Sequence, residues 1–161
     1  MIKSILACGT GDIGEMSHTH LLYHIIFATK DRLLIIKKEW SGELHAYLGG
    51  IVKNLEGIPI EINGIDNHLH LLVRLTPKIT ISDFMRELKA SSSRWVRQNK
   101  DAKFGWQVRY GAFTVSESQV QILRNYIKNQ EEHHKTKSFA DEYRDFLKAH
   151  NVDFDDKYLW D

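Results

Sequence analysis

The stretch Asp66-Asn67-His68-Leu69-His70-Leu71-Leu72-Val73 decides how this chain is read. Side chains of a β-strand alternate between its two faces. As a strand, this run puts His68, His70, Leu72 and Arg74 on one face and Leu69, Leu71, Val73 and Leu75 on the other. The second face is apolar and ready to be buried. The first presents two imidazoles side by side, and such a pair can share one divalent metal ion. An isolated H-x-H is more often a pair of solvated histidines, so the case for a site rests on the rest of the chain.

Immediately upstream, Asp66-Asn67 supplies a hairpin turn. Before it, Ile58, Ile60 and Ile62 alternate with Pro59, Glu61 and Asn63, a strand pattern in which Pro59 points to an edge position or a strand start. Gly57 falls where a helix C-cap is expected. The helix it closes covers residues 37–55, with Trp40, Leu44, Tyr47, Leu48, Ile51, Val52 and Leu55 in one wide stripe. Residues 19–29 form a first strand with two largely apolar faces, so it should be central and covered on both sides. Lys30, Asp31 and Arg32 follow at its end. Residues 1–17, broken by Gly9, Gly11 and Gly14, read as a flexible N-terminal extension.

Downstream, Thr76-Pro77 ends the histidine strand. Thr80 and Asp83 make a capping-box-like start for a second helix, whose buried stripe is Ile81, Phe84, Met85, Leu88, Ser92, Trp95 and Val96. Arg86, Lys89, Arg94 and Arg97 fall elsewhere on that helix. A solvated basic face is the common meaning of such a set, and phosphate contact is the functional one. Residues 107–115 give a fourth strand. Ser116–Gln119 reads as another capping box, opening a helix that runs to about Lys135. On it Val120, Leu123 and Ile127 point inward, and Tyr126 and Gln130 lie one turn apart on one face. A shorter helix over about 138–150 and a tail of alternating aromatic and acidic residues complete the chain.

The order β-α-β-β-α-β predicts an α+β fold of the ferredoxin-like kind: a four-stranded antiparallel sheet with two helices on one face, followed by the tyrosine helix and a short terminal helix. Residues 18–137 then make one domain, and 138–161 a C-terminal helix and tail. The two crossover helices would cover Leu69, Leu71 and Val73. His68 and His70 would look out on the open face, which the helix of Tyr126 is free to cross.

Length and composition bound the possibilities. With 161 residues, one domain with a full core is expected. A hydrophobic share of 42 % and a charged share of 27 % are ordinary for a globular protein, and a net charge of +1 gives no global nucleic-acid signature. A local basic patch remains compatible with that balance. The single cysteine, Cys8, excludes an intrachain disulfide and a multi-cysteine zinc site. No apolar run is long enough to span a membrane and the N-terminus lacks a signal-peptide plan, so no membrane partner and a cytoplasmic location are expected.

A tyrosine and a glutamine brought over two histidines make a recognisable chemistry. Two imidazoles and a neutral amide oxygen leave positions open on a hard ion such as Mg²⁺ or Mn²⁺. Such a site can hold a phosphate oxygen and stabilise charge in phosphoryl transfer. A tyrosine hydroxyl, with a reference pKa of roughly 10, needs that polarised phosphate and a route for its proton.

Five segments in order resemble the single-tyrosine HUH transposases of small insertion sequences and their REP-associated relatives. They are Tyr23-His24-Ile-Ile-Phe-Ala-Thr-Lys30-Asp-Arg32, Asp66–Leu72, Ser82–Ser93, the Trp106, Tyr110 and Val115-Ser116 segment, and Tyr126-Ile127-Lys-Asn-Gln130. The match covers about residues 18–135 and departs at Asn67, where the family usually has an aspartate. The resemblance implies that Tyr126 attacks a phosphodiester of single-stranded DNA, forming a 5′-phosphotyrosine and freeing a 3′-hydroxyl. It implies that His68, His70 and Gln130 hold Mg²⁺ or Mn²⁺. It also implies a homodimer that recognises hairpins near the ends of its element, in some relatives with the tyrosine helix in the partner's site.

Lys30, Arg32, Lys89, Arg94 and Arg109 are candidate contacts to DNA phosphate, Lys30 and Arg32 foremost. Trp95 and Trp106 are candidates for base stacking, and of the two Trp95 reads as core. His24 reads as a packed strand histidine, and His133 and His134 as solvated or DNA-facing. Taken singly, Tyr126 could be core and Gln130 surface; their pairing with the histidine strand argues otherwise. Two alternatives stand beside a mobile-element transposase. One is a domesticated relative acting at genomic hairpins. The other is a non-catalytic nucleic-acid-binding module on the same kind of sheet, whose usual aromatic surface motif is replaced here by histidines.

Overall fold

A computed structural model describes residues 18–160; the extension expected over 1–17 lies outside the described residues. β3 (His68–Leu75) is an inner strand, paired on one side with β2 (Ile58–Gly64) and on the other with β1 (Leu21–Ala28). β1 pairs in turn with β4 (Gly111–Thr114), so the sheet order is β2-β3-β1-β4 and every pairing is antiparallel. The α+β architecture expected from the sequence is therefore present. Pro59 stands on the edge strand β2, beside a register shift that accommodates its missing donor.

Helices α1 (Lys38–Asn54) and α2 (Ile81–Asn99) cover one face of the sheet. Leu44, Leu48, Val52, Phe84 and Leu88 meet Ile25, Phe27, Leu69, Leu71 and Val73 there in the main core. Thr80 caps α2 as expected, its hydroxyl oxygen accepting from the Asp83 amide at 3.1 Å; such a cap contributes about 1 kcal/mol. At the end of α1 the expectation is corrected. Glu56, not Gly57, takes the left-handed conformation, with φ of 60°. Gly57 is required for closeness instead: a Cβ there would stand 3.1 Å from the Val52 carbonyl oxygen and 3.2 Å from that of Arg74.

β4 is shorter than the strand expected over 107–115. The Lys89 ammonium donates to the carbonyls of Gln107, Val108 and Arg109 at 2.8, 3.0 and 2.9 Å, which keeps those carbonyls out of the ladder. Beyond β4 the pairing continues as an isolated bridge between Thr29 and Trp106. Trp106 itself is core, its indole donating to the Ser92 hydroxyl at 2.9 Å, so base stacking is not its place. Trp95 packs against that core and stacks on Tyr47.

The helix expected from Ser116 to Lys135 is broken. A 3-10 turn over Glu117–Gln119 precedes α3 (Val120–Lys128), and α4 (Gln130–His133) follows a kink at Asn129. The Ser116 side chain makes no cap hydrogen bond, its hydroxyl being engaged with that of Ser118 at 3.0 Å. Helix α5 (Phe139–Ala149), capped by Ser138, then lies across the second face of the sheet. Phe139, Tyr143 and Leu147 bury themselves against Ile26, Ala28 and Phe113 in a cluster separate from the main core. The face carrying His68 and His70 is thus not open. Gly111 makes the seat: a Cβ there would stand 2.9 Å from the Tyr143 ring.

Candidate metal and nucleophile site

Alternation along β3 puts His68 and His70 on the face away from α1 and α2, beside Ala28 and Ile26 of β1. The hairpin holds them there because Gly64 allows close approach; a Cβ would fall 2.1 Å from the His68 carbonyl oxygen. Asn63, one residue earlier, donates through its amide to the carbonyls of Ile127 and Lys128 at 2.9 and 3.0 Å. Glu61 pairs with Arg124 at 2.9 Å. These contacts dock α3 on the edge strand, and Tyr126 comes over the chain's own His70, with ring centroids 5.9 Å apart.

Gln130 arrives with Tyr126 and is fully buried. Its carbonyl oxygen lies 3.3 Å from His68 Nε2 and 3.0 Å from His134 Nε2. His134 is one turn beyond Gln130 and belongs to the site, not to solvent as its sequence position suggests. Glu142, from α5, is the second addition. Its Oε2 lies 3.4 Å from His68 Nε2, 3.4 Å from His70 Nε2 and 3.1 Å from His134 Nε2. Its Oε1 accepts a hydrogen bond from the Tyr126 hydroxyl and another from the Gln130 amide at 3.3 Å.

The three imidazoles are oriented from behind. His68 Nδ1 donates to Asn67 Oδ1 at 2.7 Å, and His134 Nδ1 donates to the Lys137 carbonyl at 2.8 Å. His70 Nδ1 meets His24 Nε2 at 2.9 Å. His24 is therefore more than packing. With each Nδ1 occupied, the three Nε2 atoms face one centre, which is how histidine metal ligands are usually held. The ligand atoms of His68, His70, His134 and Glu142 lie within 4.8 Å of one another. His70 Nε2 and Glu142 Oε2 are buried without a hydrogen-bond partner. Orphaned buried polar atoms are costly, and a divalent metal between them would satisfy both. The residues fit such an ion.

Electrostatics agree. Burial lowers the pKa of His68 to about 4, so its imidazole is neutral and its lone pair free at neutral pH. Burial also holds His24 well below the usual histidine range. For Glu142, burial works to raise the pKa, but the surrounding imidazoles outweigh it and hold the carboxyl well below its usual range. Burial, then the Glu142 carboxylate, push the Tyr126 phenol up. His133, its pKa lowered by burial, places Nε2 3.2 Å from the phenol oxygen.

Asn67 stands where an acid is usual in the resembled family, yet it performs the orienting task through its side-chain oxygen. Asn67→Ala is expected to weaken Mn²⁺ binding about 10- to 100-fold with little change in melting temperature. Isothermal titration checks this, and an unchanged affinity would show that His68 needs no orienting partner.

The five cationic candidates separate. Lys89 is spent on three carbonyls and half-buried, its pKa lowered by burial to about 8; it is a structural ammonium. Arg94 is exposed on α2, which covers the opposite face of the sheet. Arg32 stacks its guanidinium over Trp160 at 4.4 Å from the ring centroid. Lys30 and Arg109 are exposed. A cleft of about 530 Å³ opens beside His134, lined among others by Lys37, Lys38, Asp66 and Lys135.

Comparison with known proteins agrees with this fold. A family model described as "Transposase IS200 like" matches residues 17–130, and the chain belongs to that family. The transposase for insertion sequence element IS200 of Salmonella typhimurium is 33 % identical over 138 residues, covering 78 % of this chain and 88 % of that one. The ISDra2 transposase TnpA of Deinococcus radiodurans is 33 % identical over 119 residues, covering 68 % and 84 %. A crystal structure of a transposase from Deinococcus radiodurans R1 matches with a TM-score of 0.60 and 28 % identity, over 74 % of this chain and 98 % of that one. A REP-associated tyrosine transposase bound to a REP hairpin matches with a TM-score of 0.56 over 76 % and 74 %; at 13 % identity that likeness is one of fold. The chain is a transposase, a DNA-cleaving enzyme of DNA transposition. Among its described residues no helix is long and apolar enough to cross a membrane.

Proposed function

We propose that this transposase cuts and rejoins single-stranded DNA through a covalent link to Tyr126. One observation carries the reading: the Tyr126 hydroxyl, His68, His70 and Gln130 converge on a single buried carboxylate, where a phosphate group would be met by nucleophile and metal ligands together. His68, His70 and Gln130, joined by His134, would hold Mg²⁺ or Mn²⁺. When bound, the ion supplies positive charge to a non-bridging phosphate oxygen.

The chain's own groups do the rest. The Tyr126 oxygen attacks phosphorus and passes its proton to the neutral His133 Nε2. The bond from phosphorus to the 3′ oxygen breaks, and that oxygen takes a proton from solvent. A 5′-phosphotyrosine and a free 3′-hydroxyl result. Because the phosphodiester is exchanged for a phosphotyrosine ester, the energy is retained and a second 3′-hydroxyl can reverse the step. The exposed Lys30 and Arg109 and the lysines of the cleft beside His134 would meet DNA phosphates; their exposure and charge support that role. We extend the proposal to hairpin ends as the substrate, since the REP-associated neighbour is bound to a hairpin, and to a cytoplasmic homodimer as the acting form.

Oligonucleotides copied from the DNA flanking the gene provide the test. With Mg²⁺ or Mn²⁺ they should be cut as single strands, and the fragment carrying the new 5′ end should remain on the protein. Cutting of the duplex alone, or cutting that survives EDTA, would contradict the reading.

A further inference from the structure

The proposed reaction needs a strand of DNA at Tyr126, yet His68, His70 and Gln130 have no exposed surface and Glu142 retains 1 %. What closes the site is α5. Its inward residues, Phe139, Glu142, Tyr143, Phe146 and Leu147, recur at helical spacing, and Glu142 is the one charged member of that stripe. Phe139 stacks on His68 with centroids 4.0 Å apart, and Phe146 meets His24 edge-on at 4.9 Å. The carboxylate is delivered between the metal-facing nitrogens and the nucleophile.

We infer that Glu142 is a metal ligand of a closed state, and that it yields its place to the scissile phosphate when α5 lifts. The inference rests on the reaction proposed above. Two observations assign the ligand role: the buried Oε2 lacks a hydrogen-bond partner, and it stands at 3.1 to 3.4 Å from three Nε2 atoms, as neighbours in one coordination shell do. Two more assign the exchange. Oε1 occupies the Tyr126 hydroxyl, the position a reacting phosphate must take. A phosphodiester also carries one negative charge over two free oxygens, as a carboxylate does, so the substrate can replace Glu142 without altering the charge at the ion.

The fold allows the motion. None of the α5 side chains belongs to the main core between the sheet and helices α1 and α2. A short segment after α4 joins α5 to the rest, and the outward ion pairs of this region, Lys137–Asp145 and Arg144–Asp156, are partly exposed and screened by solvent. Trp160 packs on Phe139 and Tyr143 while the Arg32 guanidinium lies over the Trp160 ring, so the tail ties α5 to the loop after β1 by one side-chain stack.

Mn²⁺ alone and the full chain make the first arm of the test. Glu142→Gln should weaken Mn²⁺ binding, read by the electron paramagnetic resonance of free Mn²⁺, at least tenfold. Mn²⁺ should also slow amide exchange over Phe139–Ala149 in the unmodified protein and not in Glu142→Gln. An affinity within twofold of the unmodified protein would overturn the ligand assignment. Leu147→Ala, which loosens α5 without altering any donor atom, should accelerate exchange of α5 and keep the Mn²⁺ ligands. In the second arm a cleavable flanking oligonucleotide should speed α5 exchange, and with Mn²⁺ saturating both proteins Glu142→Gln should form the covalent adduct faster than the unmodified protein. Adduct formation with α5 still protected would overturn the exchange. If the unmodified protein forms no adduct at all, the proposed reaction fails while the Mn²⁺ arm still decides the place of Glu142.

Discussion

Tyr126→Phe protein is expected to form no covalent adduct with DNA, a loss on the order of 10³-fold or more. The reasoning starts from what the substitution leaves alone. The ring keeps its edge contacts with His70 at 5.9 Å, Phe146 at 5.8 Å and His133 at 4.9 Å, because none of them uses the hydroxyl. α3 remains docked through Asn63 and Glu61. Gln130 still donates to Glu142, so the carboxylate is not left without a partner. Fold and metal binding should therefore stay close to normal while the nucleophilic oxygen is gone. A gel that separates protein from protein–DNA adduct reads the outcome. A persistent adduct would move the nucleophile elsewhere.

Removing both strand histidines, His68→Ala with His70→Ala, is expected to cost about 100-fold or more in Mn²⁺ affinity and to abolish cleavage. Loss of an outer orienting partner alone typically costs 10- to 100-fold, and the direct ligands should exceed it. This pair of substitutions also leaves the Glu142 carboxylate buried among fewer compensating groups, and an unpaired buried charge destabilises a fold strongly. The melting temperature should fall for that reason. Adding Glu142→Gln to the pair should restore much of the melting temperature without restoring metal binding. Calorimetric titration with Mn²⁺ and a thermal melt separate the two effects; full metal affinity in the double variant would remove the histidines from the site.

Much of this arrangement was legible in the residues because it obeys simple periods. The two-residue period of β3 placed His68 and His70 opposite Leu69 and Leu71, and the turn at Asp66-Asn67 set the register. The four-residue spacing of Tyr126 and Gln130 puts them on one side, and the same step from Gln130 leads to His134, which the folded chain brings to the site and not to solvent. The kink at Asn129 was not legible: the residues on either side read as continuous helix, and no capping or proline signal marks the break. Ser116 shows the same limit, a capping pattern whose hydroxyl turned to Ser118.

Long-range partners were least visible. Lys89 looked like part of a basic face, and only the folded chain brings the three carbonyls of residues 107–109 to its ammonium. Glu142 sits in the charged run Asp141-Glu142-Tyr143-Arg144-Asp145, where its neighbours Asp141 and Asp145 are exposed. One signal did mark it. Glu142 occupies a stripe position between Phe139 and Phe146, and a carboxylate on the apolar side of a helix must find a buried partner.

The most direct measurement is the identity of the residue that carries DNA. After reaction with Mn²⁺ and a flanking single strand, digestion of the adduct and mass spectrometry of the peptides should find a nucleotide 5′-phosphate on Tyr126. Its presence on another tyrosine, on a serine or on a histidine, or cleavage that leaves no protein-linked phosphate, would contradict the account.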